Sequence, residues 1–196
     1  MIAFHHRLFR ALLARRVRLA ERLAKLKYRL VGQIEIAPSV KFSPKARIEI
    51  NRNFSRDVLV DIGSATTIKD YAILAPRDGY INIGVNCSVN PFCVLLGYGG
   101  IDIGDNVRMA AGCSIIAFNH NFDDPTVPIA EQGNNFEGIR IEDDVWLGTG
   151  VRVLDGVVIG KGAVVGAGSV VTRSIPPGCV AVGVPAKVIK SRVAPR

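Results

Sequence analysis

The sequence predicts an all-β fold, a parallel β-helix of hexapeptide repeats, with an α-helix at its amino terminus. Two observations predict the β-helix: aliphatic residues recur at every sixth position in the second half of the chain, and a small or β-branched residue usually stands four positions later. A third observation predicts the helix, because leucines recur at heptad-like spacing among arginines in residues 4–30. The expected organisation is a basic amphipathic helix over residues 1–30, a β-helix over residues 31–185 and a basic tail over residues 186–196.

The most regular repeats lie in residues 141–176. A period of six fits neither the 3.6-residue period of a helix nor the two-residue alternation of an ordinary strand. Three hexads therefore form one coil with three faces, and after about eighteen residues the chain returns one strand spacing, ~4.8 Å, above itself. The residues expected to stack inside this prism are Ile141 with Ile159, Leu147 with Val165, and Val153 with Val171. The inward residues expected four positions later are Val145, Val151, Val157, Ala163, Ser169 and Ile175.

The excess charge belongs to the amino terminus. The net charge is +8, and residues 1–30 contain seven Arg and two Lys against one Glu. One interpretation is a helix that packs across the open end of the β-helix, or against its copies in an oligomer, and covers strand edges. Another is a helix that lies on an anionic membrane surface. Nucleic-acid binding is disfavoured, because no base-reading pattern accompanies the charge. The expected apolar stripe is Phe9, Leu12, Leu19, Leu23, Leu26 and Leu30.

The composition is typical of a globular domain, with 48% hydrophobic residues in a chain of 196. No segment has the length of a transmembrane helix, and the apolar run at residues 11–14 is too short for a signal peptide, so we expect a cytoplasmic location. Cys87, Cys93 and Cys113 fall on inward hexad positions, which favours buried thiols. Their spacing matches no zinc pattern, so we expect neither a metal site nor a disulfide framework.

The repeats are less regular before residue 141. Around Phe42 and Ile48 they are degenerate, with Ala46 at an inward position, and they sharpen from residue 62 onward. Turns are expected at residues 77–80 and at the glycine-rich residues 97–100, where a strand rather than a helix follows, which disfavours a phosphate-binding loop. The pattern stops at residues 119–138, whose Asn, Asp, Gly and Pro content predicts a loop that leaves the prism. Such loops on rigid scaffolds often carry function.

Two short motifs narrow the assignment. Residues 144–148 read Asp-Val-Trp-Leu-Gly, and residues 183–189 read Gly-Val-Pro-Ala-Lys-Val-Ile. Together with the hexads, over roughly residues 60–190, they resemble the left-handed β-helix hexapeptide acyltransferases. The resemblance is strongest to sugar O-acetyltransferases of the maltose and galactoside type and to their polysaccharide-modifying relatives. It implies a left-handed winding, acetyl-CoA as the acyl donor, and a homotrimer with its sites at subunit boundaries.

His120 is the candidate catalytic residue. From its position alone, between two asparagines, it is either a surface loop residue or a base, since imidazole exchanges protons near neutral pH. The resemblance implies the base, because the related enzymes carry a histidine where the long loop leaves the β-helix, some two dozen residues before the tryptophan motif. It implies direct transfer with no acyl-enzyme. The groups that could orient the imidazole are Asp123, Asp124 and Glu142, although turn roles are favoured for all three.

The acceptor and donor sites also follow from the resemblance. The expected acceptor-binding residues are Asn90, Asn119 and Asp123. The related sugar enzymes often carry a second asparagine two residues after the first, where this chain has Phe92, which leaves room for a different acceptor. The expected CoA-binding residues are Trp146, Gly148, Thr149, Ala167, Thr172, Lys187 and Lys190. Without the resemblance, Gly148, Ala167 and Thr172 read as turn and packing residues, and Trp146 is expected to point outward.

The sequence as a whole predicts a homotrimeric O-acetyltransferase that uses acetyl-CoA and a saccharide acceptor, in a surface polysaccharide or its lipid-linked precursor. Acetylation of a xenobiotic or of an amino-sugar nitrogen remains an alternative, as does a β-helix that only docks partners. A γ-type carbonic anhydrase is disfavoured, because its zinc requires three histidines from the prism and this chain has one outside the amino-terminal segment, His120.

Overall fold

The structure, a computed structural model, describes residue 16 and residues 19–28, 33–50 and 59–192. The chain winds into stacked coils of three short strands. Coil 1 contains β1 (Ile34–Ile36), β2 (Lys41–Phe42) and β3 (Arg47–Ile48). Coil 2 contains β4 (Val60–Ile62), β5 (Thr67–Ile68) and β6 (Ile73–Ala75). Coil 3 contains β7 (Ile81–Ile83), β8 (Ser88–Val89) and β9 (Val94–Leu96).

An excursion interrupts the later coils. Coil 4 contains β10 (Ile101–Ile103), β11 (Arg108–Met109) and β12 (Ser114–Ile116). The excursion then contributes β13 (Asn119–His120), a 3₁₀ helix (Ile129–Glu131) and β14 (Asn134–Asn135). Coil 5 contains β15 (Ile139–Ile141), β16 (Trp146–Leu147) and β17 (Arg152–Val153). Coil 6 contains β18 (Val158–Ile159), β19 (Val164–Val165) and β20 (Val170–Val171), and β21 (Cys179–Val182) and β22 (Lys187–Ser191) follow.

The strands form three parallel sheets, one for each face of the prism. Sheet 1 has the order β1-β4-β7-β10-β15-β18, and sheet 3 has the order β3-β6-β9-β12-β17-β20. Sheet 2 has the order β2-β5-β8-β11-β16-β19-β21-β22, in which only β22 runs antiparallel to its neighbour. We name the corners by the sheets that they join: edge 1/2, edge 2/3 and edge 3/1.

The stacking predicted from the period of six is confirmed. Ile141 pairs with Ile159, Leu147 with Val165 and Val153 with Val171, all in parallel register. The six inward residues predicted between positions 145 and 175 are all buried, as are Phe42, Ala46 and Ile48 in the degenerate first coil. Turns occupy residues 77–78 and 98–99, within the two segments where they were predicted. The predicted parallel β-helix is therefore the fold of residues 34–50 and 59–182.

The inward cysteines are core residues. Cys87, Cys93 and Cys113 are buried, Cys179 is half-buried, and none of the four is in a disulfide. Burial raises the pKa of the Cys87 thiol, while a hydrogen bond with Cys93 and burial together raise the pKa of the Cys113 thiol. These two thiols are thus protonated and inert near neutral pH. In the described part of the chain, no three His, Cys, Asp or Glu side chains are grouped as ligands for a metal ion.

The amino-terminal helix contacts coil 1 through one face. Residues 19–28 are helical, and the remainder of the predicted helix, apart from Arg16, lies outside the described residues. Tyr28 is 7% exposed, its ring meets the edge of Phe42 at 5.7 Å between centroids, and its hydroxyl accepts the N–H of Ile48. The predicted apolar stripe does not make this contact, because Leu19, Leu23 and Leu26 are exposed.

Within the predicted basic tail, residues 187–191 form β22, which pairs with β21 and extends sheet 2. No helix among the described residues combines the length and apolarity needed to cross a membrane.

Candidate active site

The excursion, predicted as a loop, is an ordered hairpin. β13 and β14 pair antiparallel, with Asn119 opposite Asn135 and His120 opposite Asn134. The Gln132 side chain ties the tip together, because its Nε2 donates to the carbonyls of Asp124 and Val127 while its Oε1 accepts the N–H of Asp124. These hydrogen bonds replace the coil stacking that the excursion lacks. His120 therefore stands on a short strand with a fixed backbone.

The return of the excursion to the prism depends on one carboxylate. Asp155, at the corresponding edge of coil 5, accepts the N–H of Glu137 with Oδ2 and the N–H of Gly138 with Oδ1, both at 2.9 Å. Gly156 then donates its N–H to the carbonyl of Gly138. A carboxylate that accepts two backbone N–H groups holds both in place, so Asp155 fixes where β14 rejoins β15.

An aromatic cluster lies under His120. The ring of His120 meets Phe118 edge to face, with 5.6 Å between centroids, and Phe118 packs on Tyr98 of the coil below at 4.6 Å. Phe136, directly after β14, stacks on Tyr98 with 6.1 Å between centroids. His120 itself is exposed. The cluster thus orients the imidazole through packing while the side chain remains exposed.

Two of the three carboxylates considered as orienting groups for His120, those of Asp124 and Glu142, accept hydrogen bonds from other residues. Asp124 accepts the N–H and the hydroxyl of Thr126, and these hydrogen bonds lower the pKa of that carboxyl group. Glu142 accepts the N–H of Lys161 in the coil above. The favoured turn roles of Asp124 and Glu142 are confirmed, because both carboxylates satisfy turn N–H groups. Asp123 and Asn119 are exposed beside His120.

Asn90 lies on edge 2/3 of coil 3, directly after β8. It is half-buried, and its Nδ2 donates to the carbonyl of Met109 at 2.7 Å. This hydrogen bond joins coil 3 to coil 4 and fixes the side-chain amide of Asn90. The predicted acceptor residue therefore has a fixed side chain, but it lies across sheet 3 from His120.

Most of the predicted CoA-binding residues lie around edge 2/3 of coils 5 and 6. A Cβ on Gly148 would stand 2.6 Å from the backbone nitrogen of Ala167, so glycine is required for these two coils to approach. Thr149 and Ala167 are exposed on the same edge. Trp146, on the outer face of sheet 2, is 55% exposed, which confirms its predicted outward direction. Lys187 and Lys190 are exposed on β22, at the end of that sheet.

One chain does not bring the donor and acceptor groups to His120. Thr172 follows β20 on edge 3/1, the edge that also carries His120, whereas Asn90, Thr149 and Ala167 lie on edge 2/3. About six residues of sheet 3 separate the two edges, which corresponds to roughly 20 Å. Within one chain the predicted site residues therefore form two groups on opposite edges of sheet 3.

The sequence prediction did not include the residues that position His120: Tyr98, Phe118, Gln132, Phe136 and Asp155. The aromatic residues carried a usable signal, because Phe118 directly precedes the excursion while Tyr98 and Phe136 lie within the two interruptions of the hexad pattern. Asp155 carried no sequence signal for its role. Its partners, Glu137 and Gly138, lie 18 and 17 positions away, and only the stacking of coils brings them together.

Comparison with known proteins places the chain in a family. The family described as bacterial transferase hexapeptide (six repeats) matches residues 138–173. Nodulation protein L of Rhizobium meliloti is 37% identical over 142 residues, which cover 69% of this chain and 72% of that protein. The chain therefore belongs to the hexapeptide-repeat acyltransferases, and its fold is their left-handed parallel β-helix.

Other relatives agree with this class. A probable acetyltransferase of Mycobacterium tuberculosis is 40% identical over 133 residues, which cover 68% of this chain and 44% of that protein. A putative lipopolysaccharide biosynthesis O-acetyl transferase of Escherichia coli is 36% identical over 119 residues, 57% of this chain and 61% of that protein. The chain spans about half the length of the first curated relatives that it matches, at 44% and 52%.

A solved structure extends the similarity to three dimensions. A single-residue mutant of AntD, an N-acyltransferase from Bacillus cereus in complex with dTDP-4-amino-4,6-dideoxyglucose and coenzyme A, aligns with a TM-score of 0.72 and 26% sequence identity. The alignment covers 86% of this chain and 89% of that chain.

Replacing Asp155 with Ala is expected to release the return of the excursion. Removal of the acceptor leaves the N–H groups of Glu137 and Gly138 without their partner, so their amide hydrogen exchange should accelerate about tenfold or more. Exchange is followed residue by residue by NMR. Asp78→Ala, at an exposed turn on the same edge, is the matched control and should leave both amides unchanged; equal acceleration in the two variants would contradict the anchoring role of Asp155.

Proposed function

We propose that the protein transfers an acetyl group from acetyl-CoA to a hydroxyl group of a saccharide, with His120 as the general base. The observation that carries this proposal is an exposed imidazole on an ordered hairpin, next to an edge of a fold whose relatives are named as acetyltransferases. The relative named as a putative lipopolysaccharide biosynthesis O-acetyl transferase supports a saccharide destined for the cell surface as the acceptor. The donor is supported by the solved relative in complex with coenzyme A.

The proposed reaction is a direct transfer. One ring nitrogen of His120 takes the proton of the saccharide hydroxyl while the hydroxyl oxygen attacks the carbonyl carbon of the thioester. A carbon–oxygen bond forms, the carbon–sulfur bond breaks, and the leaving thiolate takes the proton back from the imidazolium. The products are the acetyl ester and free CoA. Packing against Phe118 holds the imidazole plane while the side chain stays exposed, as a base that exchanges protons with substrates requires.

The donor is proposed to lie along edge 2/3 in coils 5 and 6. Glycine at position 148 and the small side chain of Ala167 leave this edge free of bulky groups, and Thr149 adds a hydroxyl. The indole of Trp146 flanks the edge, and the ammonium groups of Lys187 and Lys190 lie at the end of sheet 2, where they are available to phosphates.

Acetylation of an amino-sugar nitrogen is the second candidate. It is favoured by the solved relative, which is an N-acyltransferase in complex with an amino sugar linked to dTDP. The same geometry serves both nucleophiles, since an ammonium group also needs a base. The products separate the two candidates, because mild alkaline hydroxylamine cleaves an ester and leaves an amide intact.

His120→Ala is expected to lower turnover about 10²–10⁴-fold, because the variant lacks the general base. Turnover is measured as release of CoA thiol with a panel of sugars, amino sugars, antibiotics and amines. Acetyl-CoA should still raise the melting temperature of the variant, since the donor edge is unchanged. The double variant His5→Ala/His6→Ala removes the other two histidines of the chain and should keep full turnover. Undiminished turnover in His120→Ala would refute the base assignment.

A homotrimer is proposed because the site is incomplete in one chain. Proton transfer requires heavy atoms about 3 Å apart, whereas roughly 20 Å of sheet 3 separates edge 3/1 from edge 2/3. In a closed ring of copies with parallel axes, edge 3/1 of one copy faces edge 2/3 of the next. Each site then takes His120 from one subunit and the donor edge from its neighbour.

Mixing two inactive variants is expected to restore activity if the site is shared. His120→Ala removes the base from edge 3/1. Ala167→Trp places a large side chain at an exposed position of edge 2/3 and so obstructs the proposed donor site. When the two are refolded together in equal amounts, about a quarter of the boundaries combine an intact base with an intact donor edge. The mixture should show about a quarter of wild-type turnover, while each variant refolded alone stays inactive. No recovery in a demonstrably mixed oligomer would show that each chain carries a whole site.

The amino-terminal helix is proposed to contact an anionic membrane surface. Leu19, Leu23 and Leu26 form one exposed stripe, with 58%, 57% and 51% of their surface accessible. The helix does not need them to dock, because Lys25 donates to the carbonyls of Pro38 and Val40 on its other face. The exposed basic residues beside the stripe are Arg16, Arg22 and Lys27. Apolar residues flanked by positive charge match a lipid surface of negative charge.

Co-sedimentation with vesicles tests this contact. The protein should bind vesicles of phosphatidylcholine with phosphatidylglycerol, bind weakly to phosphatidylcholine alone, and dissociate as salt is added. Leu19→Ser/Leu23→Ser/Leu26→Ser should abolish binding, whereas Val184→Ser, at a residue that is 71% exposed elsewhere, should not. If the triple variant instead changes the sedimentation coefficient of the free protein and leaves vesicle binding intact, the stripe is an assembly contact.

A further inference from the structure

Edge 2/3 changes character halfway along the prism. The third residue of each corner occupies the same place in successive coils, and in order these residues are Lys45, Tyr71, Phe92, Gly112, Gly150 and Gly168. Coils 1 to 3 therefore carry large side chains at this place, and coils 4 to 6 carry none. The proposed donor edge is the bare upper half, and nothing in the proposed reaction uses the lower half beyond Asn90.

The lower half is a stacked ladder. The rings of Tyr71 and Phe92 are nearly parallel, with 5.2 Å between centroids and an interplanar angle of 8°. The Nζ of Lys45 lies 5.3 Å from the centroid of Tyr71 and 3.3 Å from Asp70. One face of Tyr71 thus meets Lys45 and the other meets Phe92. Because the coils stack in order, the second face of Phe92 looks toward Gly112.

The backbone opposes these two aromatic residues. Tyr71 and Phe92 adopt φ values of 61° and 63°, in the left-handed region that disfavours large L-residues. The three coils above use glycine in the same conformation, which is the unstrained choice. Strained positions persist where the surroundings over-determine them, often at ligand-binding sites. Ala65, Arg77, Asn86, Asn106 and Asp144 share this conformation at other positions, and Tyr71 and Phe92 are the two aromatic residues among the seven.

The space above Phe92 is open. A Cβ added to Gly112 would meet nothing within 4 Å, and the same holds for Gly150. Successive coils are about 4.8 Å apart, which is within the range of 4.5–7 Å that stacked rings prefer. A flat ring against Phe92 would continue the ladder and cover the backbone of Gly112. Asn90 lies two residues before Phe92 on the same edge, and its Nδ2 donates to the carbonyl of Met109.

The order of groups along the prism identifies the occupant. Ala167 and Thr149 of the proposed donor edge belong to coils 6 and 5, the excursion with His120 leaves coil 4, and Phe92 belongs to coil 3. In the proposed ring of parallel copies, donor, base and Phe92 follow one another along a single edge. A ring on Phe92 therefore lies on the acceptor side of His120.

We propose that Phe92, supported by Tyr71, is the platform on which the apolar face of the acceptor's pyranose ring stacks. The inference rests on the proposed function for the identity of the acceptor, and it assigns specificity to a pair of aromatic residues. The ladder supplies the flat apolar surface, Gly112 supplies the room, and Asn90 supplies a hydrogen-bonding group at the rim of the ring. The platform takes no part in the transfer of protons or of the acetyl group.

Binding of methyl glycopyranosides tests the platform without any turnover. Saturation-transfer NMR in the absence of acetyl-CoA measures their affinity for the whole protein. Phe92→Ala should weaken binding about tenfold or more, and Phe92→Tyr should retain it. In turnover assays, Phe92→Ala should raise the KM for the acceptor while the KM for acetyl-CoA stays unchanged. Val85→Ala, an exposed apolar corner residue of the same coil on edge 1/2, is the control and should change neither constant.

Two further variants separate the platform from a structural role. Phe92→Gly relieves the left-handed backbone, so it should keep the melting temperature while losing glycoside affinity; a fall in melting temperature with intact affinity would overturn the proposal. Gly112→Asn fills the opening, and asparagine already adopts this conformation at Asn86 and Asn106. It should weaken glycoside binding, whereas Gly162→Asn on edge 1/2 should not.

The two proposals fail separately. Loss of glycoside binding in Phe92→Ala together with full turnover in His120→Ala would retain the platform and refute the base. Unchanged glycoside affinity in both Phe92→Ala and Gly112→Asn would overturn the platform and leave acetyl transfer by His120 untouched.

Discussion

Hydrogen bonding between successive coils in parallel register is the constraint on which the rest of the structure depends. The N–H of Trp146 donates to the carbonyl of Ala163, and that of Gly148 donates to the carbonyl of Val165, one coil above. Because every coil is bound to the next in this way, like residues stack inside the prism and corner residues align along the edges. One register therefore produces the stacked aliphatic residues of the core, the row of glycines on edge 2/3 of coils 4 to 6, and the aromatic ladder of Tyr71 and Phe92.

The same register explains why the fold could be predicted from the sequence. Stacking converts a period of six into vertical contacts, so that Leu147 could be paired with Val165 before any coordinates were known. The outward direction of Trp146 and the burial of Cys93 followed from hexad position alone. Each of these predictions needed only the place of a residue within its own repeat.

What could not be predicted lies where the repeat is absent. The β13–β14 hairpin has two-residue strands of Asn and His, which carry no strand signal, and Gln132 closes it through bonds that no periodicity anticipates. The helix contacts coil 1 through Tyr28 and Lys25 and leaves its leucines exposed. The face that packs on coil 1 is therefore the one whose side chains can bond to it, which is not the most apolar face. The proposed role of His120 could be inferred only by resemblance. Its aromatic support was not predicted, although these residues lie beside or within the interruptions of the repeat.

The antiparallel pairing of β21 with β22 has a consequence for how the prism ends. A stack of parallel coils is open to continuation at its top, where another strand of the same polarity could attach and seed a fibre. Here the last strand runs backwards, and it presents Lys187 and Lys190 on the terminal rim. Charge and opposite polarity together discourage end-to-end polymerisation, so the two lysines proposed to bind the donor phosphates would also protect the prism from growing into a filament.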